Sequence, residues 1–125
     1  MPKTEIRIYQ EIDETVPLFD WLDGLSEKVQ DKCVTKIERL AELGYELRRP
    51  DCDMLEGVIY ELRAKHLNVN YRILYGFCGK NIVLLSHGCT KEARVPRVEI
   101  ERARMNLRNY QRNPQAHTCL KEFLT

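Results

Sequence analysis

The stretch that decides the fold is GVIYELRAKHLNVNYRILYGFCGKNIVLLSH, residues Gly57 to His87. It holds three runs rich in β-branched and aromatic residues, GVIYELRA, VNYRILYGF and IVLLSH, separated by the short links KHLN and CGKN. Such short links favour antiparallel hairpins, because a parallel connection needs a dozen or more residues. The stretch therefore predicts a three-stranded antiparallel meander.

The segments before the meander predict one strand and two helices. TEIRIYQ, Thr4 to Gln10, alternates apolar and polar residues and reads as a strand. TVPLFDWL places Pro17 in the first turn of a short helix, where the missing N–H is tolerated. A longer amphipathic helix follows, with Ser26 as its N-cap and Gly44 as its stop. Residues 45–56 contain a proline between charged residues and predict a loop.

After the meander, PRVEIERARMNLRNYQ predicts a third helix whose apolar face carries Ile100, Ala103, Leu107 and Tyr110. The order of strand, helix, helix, three strands and helix predicts an α+β fold. We expect a small, mostly antiparallel sheet, made of the N-terminal strand and the meander, with the helices laid against one face. Residues 1–112 would form a single domain, followed by a tail, 113–125, that either docks or stays disordered.

Composition indicates an ordinary globular protein of 125 residues, with 43% apolar and 31% charged residues. No run approaches the eighteen apolar residues of a membrane span, and the N-terminus lacks a signal-peptide core, so we expect a cytoplasmic protein. The five cysteines include no C-x-x-C pair, and the histidines lack ligand spacing. We therefore expect reduced thiols, no metal site and no cofactor.

The charges are distributed unevenly along the chain. Residues 1–56 carry 8 Lys+Arg and 14 Asp+Glu, a balance of −6, whereas residues 57–125 carry 12 and 5, a balance of +7. A basic half of this kind is a hint of a polyanionic partner. The alternatives are that the two halves attract each other or only solvate different surfaces.

If both links are four-residue loops, the meander acquires a definite register. One face then carries three cross-strand rows: Ile59–Leu74–Leu85, Glu61–Arg72–His87 and Arg63–Asn70–Cys89. The other face, with Val58, Tyr60, Leu62, Tyr71, Ile73, Tyr75 and Leu84, would be core. Lys91 continues from the polar end of the first face into the next loop.

Two arginines, a histidine and a lysine on one partly covered face form a cationic concavity suited to phosphate. His87 is the side chain there whose reference pKa lies near neutrality, so it could transfer a proton. Two alternatives remain open on the pattern alone: Glu61 and Arg72 form an ordinary cross-strand ion pair, and His87 is a half-buried strand residue.

The segments LEGVIYELR, NVNYRILYGF and IVLLSHGCTKEARVPRVEIERA also resemble, in order and spacing, the HigB-type, phage-derived branch of the RelE/ParE toxin superfamily. The resemblance covers about residues 55–110 and implies a RelE-like fold. Two positions depart from the family pattern: Glu92 stands where a second lysine is frequent, and Val95 where a threonine usually caps the last helix.

The resemblance implies the toxin of a type II toxin–antitoxin system that cleaves mRNA on the ribosome by metal-free attack of the 2′-OH. Its partner would be a cognate antitoxin, HigA-like with a helix-turn-helix domain. Arg72 and Arg63 match basic positions of the family, Lys91 matches the loop lysine, and His87 matches the strand end more loosely. We expect these four to be catalytic, and the further cations Lys65, Arg94, Arg97 and Arg104 to bind RNA.

Two other functions remain open at this point. The ParE branch of the same superfamily acts by binding DNA gyrase and needs no nuclease chemistry. A phage-derived interaction module without activity would keep the same fold. Codon preference, oligomeric state, the role of residues 113–125 and the effect of Glu92 and Val95 on activity do not follow from the sequence.

Overall fold

The computed structural model of the chain describes residues 4–90 and 94–120. Its elements, in chain order, are β1 (Glu5–Ile8), α1 (Pro17–Asp23), α2 (Glu27–Leu43), a short 3₁₀ helix (Gly44–Glu46), β2 (Cys52–Glu56), β3 (Ile59–His66), β4 (Val69–Phe77), β5 (Ile82–Thr90) and α3 (Arg97–Arg112). The α+β class, the N-terminal strand, the meander and the three helices are as predicted. None of the helices in the described ranges is long and apolar enough to cross a membrane.

The five strands form one sheet in the order β1-β5-β4-β3-β2. Strand β1 runs parallel to β5, whereas every other neighbouring pair is antiparallel. The predicted loop at residues 45–56 is wrong in its second half, because Cys52–Glu56 pairs with β3 and forms an edge strand. The first half turns through the 3₁₀ helix and buries Leu47.

The hairpin between β3 and β4 is tighter than predicted. His66 pairs with Val69, so the loop contains only Leu67 and Asn68. Both residues have positive φ, 50° and 68°, as a two-residue type I′ turn requires. The register therefore moves by two residues, and Arg72 lies opposite Arg63 instead of Glu61. A shift of two preserves the faces, because side chains alternate with a period of two.

The register of β5 differs from the prediction by two separate offsets. The predicted four-residue loop is present, but Phe77 pairs with Val83 and not with Ile82. Further along, an irregularity inserts Ser86 between the pairs Tyr75–Leu85 and Leu74–His87. The observed rows on this face are Ile59–Gly76–Leu84, Glu61–Leu74–His87 and Arg63–Arg72–Cys89.

Helices cover both faces of the sheet, and the expectation that they lie against one face is wrong. Helices α1 and α2 pack on the face that carries Leu62, Ile73 and Leu85. Helix α3 packs on the opposite face, against Ile59, Leu74 and Leu84. Leu84 and Leu85 thus occupy faces opposite to those predicted, because the first β5 offset exchanges them. We call the second face the α3 face.

The long helices begin and end as the sequence predicts. In α2, the hydroxyl of Ser26 accepts a hydrogen bond from the Val29 N–H at 3.3 Å, and the chain leaves the helix at Gly44 with φ of 55°. Helix α3 buries the predicted face, Ile100, Ala103, Leu107 and Tyr110. Pro96 precedes it, and no side chain of the described residues caps its first turn, consistent with Val95 in place of a capping threonine.

The described part of the tail docks on the outer edge of β1. Gln10 N–H donates to the His117 carbonyl at 3.1 Å, and Cys119 N–H donates to the Ile8 carbonyl at 2.8 Å. The ring of His117 stacks on Tyr9 with centroids 5.2 Å apart. Of the two alternatives for the tail, docking holds for residues 113–120.

Candidate functional site

The polar end of the α3 face is built around the buried carboxylate of Glu61. Its Oε1 accepts hydrogen bonds from Nε of Arg63 at 2.8 Å and from Nε of Arg72 at 2.9 Å. Glu61 and Arg72 are buried and Arg63 is half-buried. A buried carboxylate needs such charged partners, because an uncompensated charge in a protein interior is strongly destabilising. The ion pair of Glu61 and Arg72, which the pattern left open as an alternative, is present, although the two residues do not lie directly opposite each other.

Strand β2 extends this group to the edge of the sheet. Nη2 of Arg63 donates to Oδ2 of Asp53 at 2.9 Å, and Nη2 of Arg49 lies 3.0 Å from the same oxygen. Burial alone would raise the pKa of Asp53, but hydrogen bonding and the positive charges of Arg49 and Arg63 outweigh it, so the pKa is lowered. We call Arg49, Asp53, Glu61, Arg63 and Arg72 the arginine cluster.

The arginine cluster is graded in its access to solvent. The Arg63 side chain retains 31% of its accessibility and that of Arg72 retains 10%. Of the two arginines on Glu61, an anion that approaches from solvent therefore meets Arg63 first, with Arg72 behind it. Three guanidinium groups face two carboxylates, so the cluster keeps one excess positive charge. Planar forked donors of this kind suit a phosphate group.

His87 lies in the neighbouring row but forms a separate network. Its ring is 1% exposed, with Nδ1 2.8 Å from the Ser86 hydroxyl and Nε2 3.0 Å from Oε1 of Glu99. Asn106 donates to the same Ser86 hydroxyl at 2.9 Å. Burial lowers the pKa of His87, as does the charge of Arg102, and the bond to Glu99 offsets this only in part.

The network around His87 therefore connects the inserted residue of β5 to helix α3. The order of contacts, serine to histidine to glutamate, matches that of a nucleophilic triad. The Ser86 hydroxyl is buried and engaged by Asn106, so it offers no surface to a substrate. Both ring nitrogens of His87 are likewise engaged, and neither reaches solvent in this structure.

The predicted site residues are brought together only in part. Arg63 and Arg72 meet at Glu61, whereas His87 bonds to other partners and Lys91 lies outside the described residues.

Among the predicted RNA-binding residues, Arg97 and Arg104 both pair with Glu56 at the end of β2, and Arg94 is exposed near this pair. Lys65 is exposed on β3, six residues from Ile59, which pairs with Glu56. Six residues of a strand span roughly 20 Å, so Lys65 lies about that far from Glu56 and its arginines. The four cations therefore do not form a single surface.

Asp53 and Arg49 are the cluster residues that the sequence prediction missed. Both lie in the segment predicted to be a loop. The alternation of Cys52, Asp53 and Met54 was a usable signal, since it places the two apolar residues on one face and the carboxylate on the other. Within residues 4–90 and 94–120, no three side chains of histidine, cysteine, aspartate or glutamate gather in a way that could hold a metal ion.

Comparison with known families identifies a match that covers most of the chain. The family described as "Phage derived protein Gp49-like (DUF891)" matches residues 20–108 of this chain. The matched region begins in α1 and ends in α3, so it contains the meander, the whole arginine cluster and the His87 network. No curated protein gives a significant match.

Proposed function

Because the chain belongs to the Gp49-like family of phage-derived proteins, a RelE/toxin-like family, we propose that it is the toxin of a type II toxin–antitoxin system. Within that class we assign it to the HigB type, on the motifs of the meander and the helix after it. Family membership supports the toxin role, and the arginine cluster supports the chemistry that we propose for it.

We propose that the chain cleaves mRNA on the ribosome by attack of a 2′-OH on the adjacent phosphate. The 2′-oxygen gives up its proton and bonds to phosphorus, the bond from phosphorus to the 5′-oxygen breaks, and the products are a 2′,3′-cyclic phosphate and a 5′-hydroxyl that has taken up a proton. The observation that carries this activity is the pair of arginines on one carboxylate, Arg63 and Arg72 on Glu61. Phosphoryl transfer concentrates negative charge on the equatorial oxygens in the transition state. Preorganised cations aimed at that charge lower the barrier, since they need no reorganisation during the reaction.

In this proposal Arg63, the more exposed of the two, contacts the scissile phosphate, and Arg72 adds its charge from behind. Glu61 holds both guanidinium planes in position through their Nε atoms. Lys91 would add a further cation from the loop before α3.

For His87 we propose a positioning role, in addition to the proton transfer that the sequence predicts. Its ring is buried, and its Nε2 bonds to Glu99 of α3. Its Nδ1 bonds to the neighbouring Ser86 hydroxyl, which Asn106 of α3 also contacts. Proton transfer at His87 stays a prediction that requires the bond to Glu99 to open.

The proposed partners are mRNA on the ribosome and a cognate HigA-like antitoxin that inhibits the toxin. Both place its action in the cytoplasm. A small gene for a helix-turn-helix protein directly beside this one would support the assignment.

The test of the proposed function is a purified translation reaction with and without the protein, followed by mapping of new mRNA ends. We expect cleavage within the ribosome-covered part of the message, and none when ribosomes are omitted. A parallel supercoiling assay with DNA gyrase covers the ParE-like alternative. Inhibited gyrase with intact mRNA would replace the nuclease with gyrase binding, and no effect in either assay would favour an inactive interaction module.

A further inference from the structure

The sheet face opposite the α3 face carries an open groove that the proposed chemistry does not use. It has a volume of about 630 Å³ and lies between the 3₁₀ helix and strands β2 to β4. Its floor is aromatic: Tyr60 stacks on the buried Tyr75 with centroids 5.5 Å apart, and Phe77 stands perpendicular to Tyr60 at 5.5 Å. Tyr45, 67% exposed, and Met54, 58% exposed, form its walls.

Two arginines line the same groove. Nη1 of Arg48 donates to the Tyr45 carbonyl at 2.7 Å and holds the turn that presents the Tyr45 ring. Arg49 is largely exposed, and its Nη2 lies 3.0 Å from Asp53. Exposed aromatic faces beside guanidinium groups are the features that hold single-stranded nucleic acid, by base stacking and phosphate contact.

Arg49 belongs both to the groove and to the arginine cluster. Asp53 pairs with Arg49, which lines the groove, and with Arg63, which lies on the α3 face. Asp53 of strand β2 therefore links charged groups on the two faces of the sheet. Strand β2 is the last strand of the described sheet. A nucleic-acid strand that passes around this edge would meet the aromatic groove and the cluster in succession.

We propose that the groove binds a base of single-stranded RNA next to the cleaved bond, with Tyr45 and Tyr60 as the stacking surfaces and Arg49 as a phosphate contact. This inference rests on the proposed function, since it names a second RNA subsite for the same enzyme. It assigns to the turn and strand at residues 45–56 a role in holding the substrate.

The edge of β2 favours RNA over an added protein strand as the occupant. The Met54 N–H is already taken by Oδ1 of Asp53 at 3.0 Å, and the β2–β3 pairing is irregular between Met54 and Glu56. Both features make it harder for a further β-strand to form hydrogen bonds with this edge of the sheet. The exposed apolar surface of the groove is confined to a few side chains, which suits a planar base better than a protein interface of standard size.

Binding of a fluorescein-labelled 2′-O-methyl oligouridine tests the inference, because this RNA lacks the nucleophile and cannot be cleaved by the proposed mechanism. Followed by anisotropy with the full chain, Tyr45→Ala should weaken binding by roughly tenfold or more, whereas Tyr45→Trp should retain it. Arg49→Gln should reduce the slope of log affinity against log salt by about one. Leu67→Ala, exposed at the tip of the β3–β4 hairpin, is the matched control and should bind as the parent does.

Equal affinity of Tyr45→Ala and the parent chain for the RNA would overturn the inference. It would do so even if Tyr45→Ala bound a protein partner more weakly than the parent chain does. The result is independent of the proposed catalysis. If mRNA stays intact on ribosomes while Tyr45→Ala still weakens RNA binding, the nuclease proposal fails and the groove stands only as an RNA-binding site. If cleavage occurs and Tyr45→Ala changes nothing, only the groove assignment fails.

Discussion

Arg63 and Arg72 lie directly opposite each other on β3 and β4 and donate to the same oxygen, Oε1 of Glu61. Two like charges in this position destabilise a sheet unless an anion lies between them. Glu61 provides that anion from the next row. A local arrangement that needs such compensation is typical of a functional site, where a protein departs from what stability alone would select.

Glu61→Gln removes the shared anion and tests this relationship. The free energy of unfolding should fall by about 3 kcal/mol, because breaking a buried ion pair leaves its partners poorly compensated. Urea denaturation measures the change. Arg97→Ala, which breaks an exposed pair with Glu56, is the control and should lose less than about 1 kcal/mol. A smaller loss for Glu61→Gln than for Arg97→Ala would contradict the account.

The buried His87 predicts a pH dependence of stability. Its pKa in the folded chain lies below the ordinary value of 6.5, so the unfolded chain binds this proton more readily. Stability from this group is complete above pH 6.5 and is lost as the pH falls toward the folded pKa.

Thermal unfolding measured from about pH 7.5 down to about pH 5 follows this loss of stability. Asp51 and Asp53 do not contribute over that range, because their pKa values are lowered and they titrate at more acidic pH. In His87→Gln the dependence on pH should be shallower. Parallel curves for the variant and the parent chain would exclude His87 as the source.

The turn at Leu67 and Asn68 can be improved. Leu67 has φ of 50°, which strains a residue with a Cβ, and its side chain is 82% exposed. Leu67→Asn should therefore raise the free energy of unfolding by about 1 kcal/mol, since asparagine tolerates this conformation. Ile12→Asn, also at an exposed position but without a positive φ, is the control and should give no gain. Equal changes in both variants would argue against the two-residue turn.

Gly88 is required by close packing between β5 and α1. A Cβ at this position would lie 2.1 Å from the Trp21 ring, whose Nε1 donates to the Thr90 hydroxyl at 3.1 Å. Gly88→Ala should lower the free energy of unfolding by about 1–3 kcal/mol or more. Gly24→Ala is the matched control, because its Cβ would meet only a carbonyl oxygen at 3.6 Å. A loss in Gly24→Ala as large as in Gly88→Ala would contradict this explanation.

The apolar runs predicted the meander and the long helices because their periodicities are set by burial. The predicted register between β3 and β4 was wrong because HLN contains no glycine that would indicate a two-residue turn. The predicted register between β4 and β5 was wrong in part because nothing in LLSH indicates that Ser86 is an inserted residue. Strand β2 was missed because Pro50 and the neighbouring acidic residues outweighed a short alternation. The packing of α3 on this face was not predicted, because the α3 face mixes Ile59 and Leu74 with charged residues. Such a mixed pattern does not indicate that a helix buries the face.

For the candidate site, alternation predicted that Glu61, Arg63, Arg72 and His87 share a face, and a register shift of two residues preserves that result. The partners of His87 did not follow from the sequence, because they come from α3 and from the inserted Ser86. The link from Arg63 to Asp53 depends on β2, so it was lost together with that strand.

The most direct test compares mRNA cleavage by the parent chain, Arg63→Ala and Arg72→Lys in a purified translation reaction. Circular dichroism confirms that each variant is folded. Arg108→Ala, which removes an exposed arginine from the outer side of α3, is the matched control. We predict that both cluster variants cleave at least about tenfold more slowly. Arg63→Ala loses a cation aimed at the transition-state charge, and Arg72→Lys keeps the charge but loses the planar guanidinium that Glu61 holds in position. Arg108→Ala should cleave as the parent does. Unchanged cleavage by folded Arg63→Ala and Arg72→Lys would contradict the central claim.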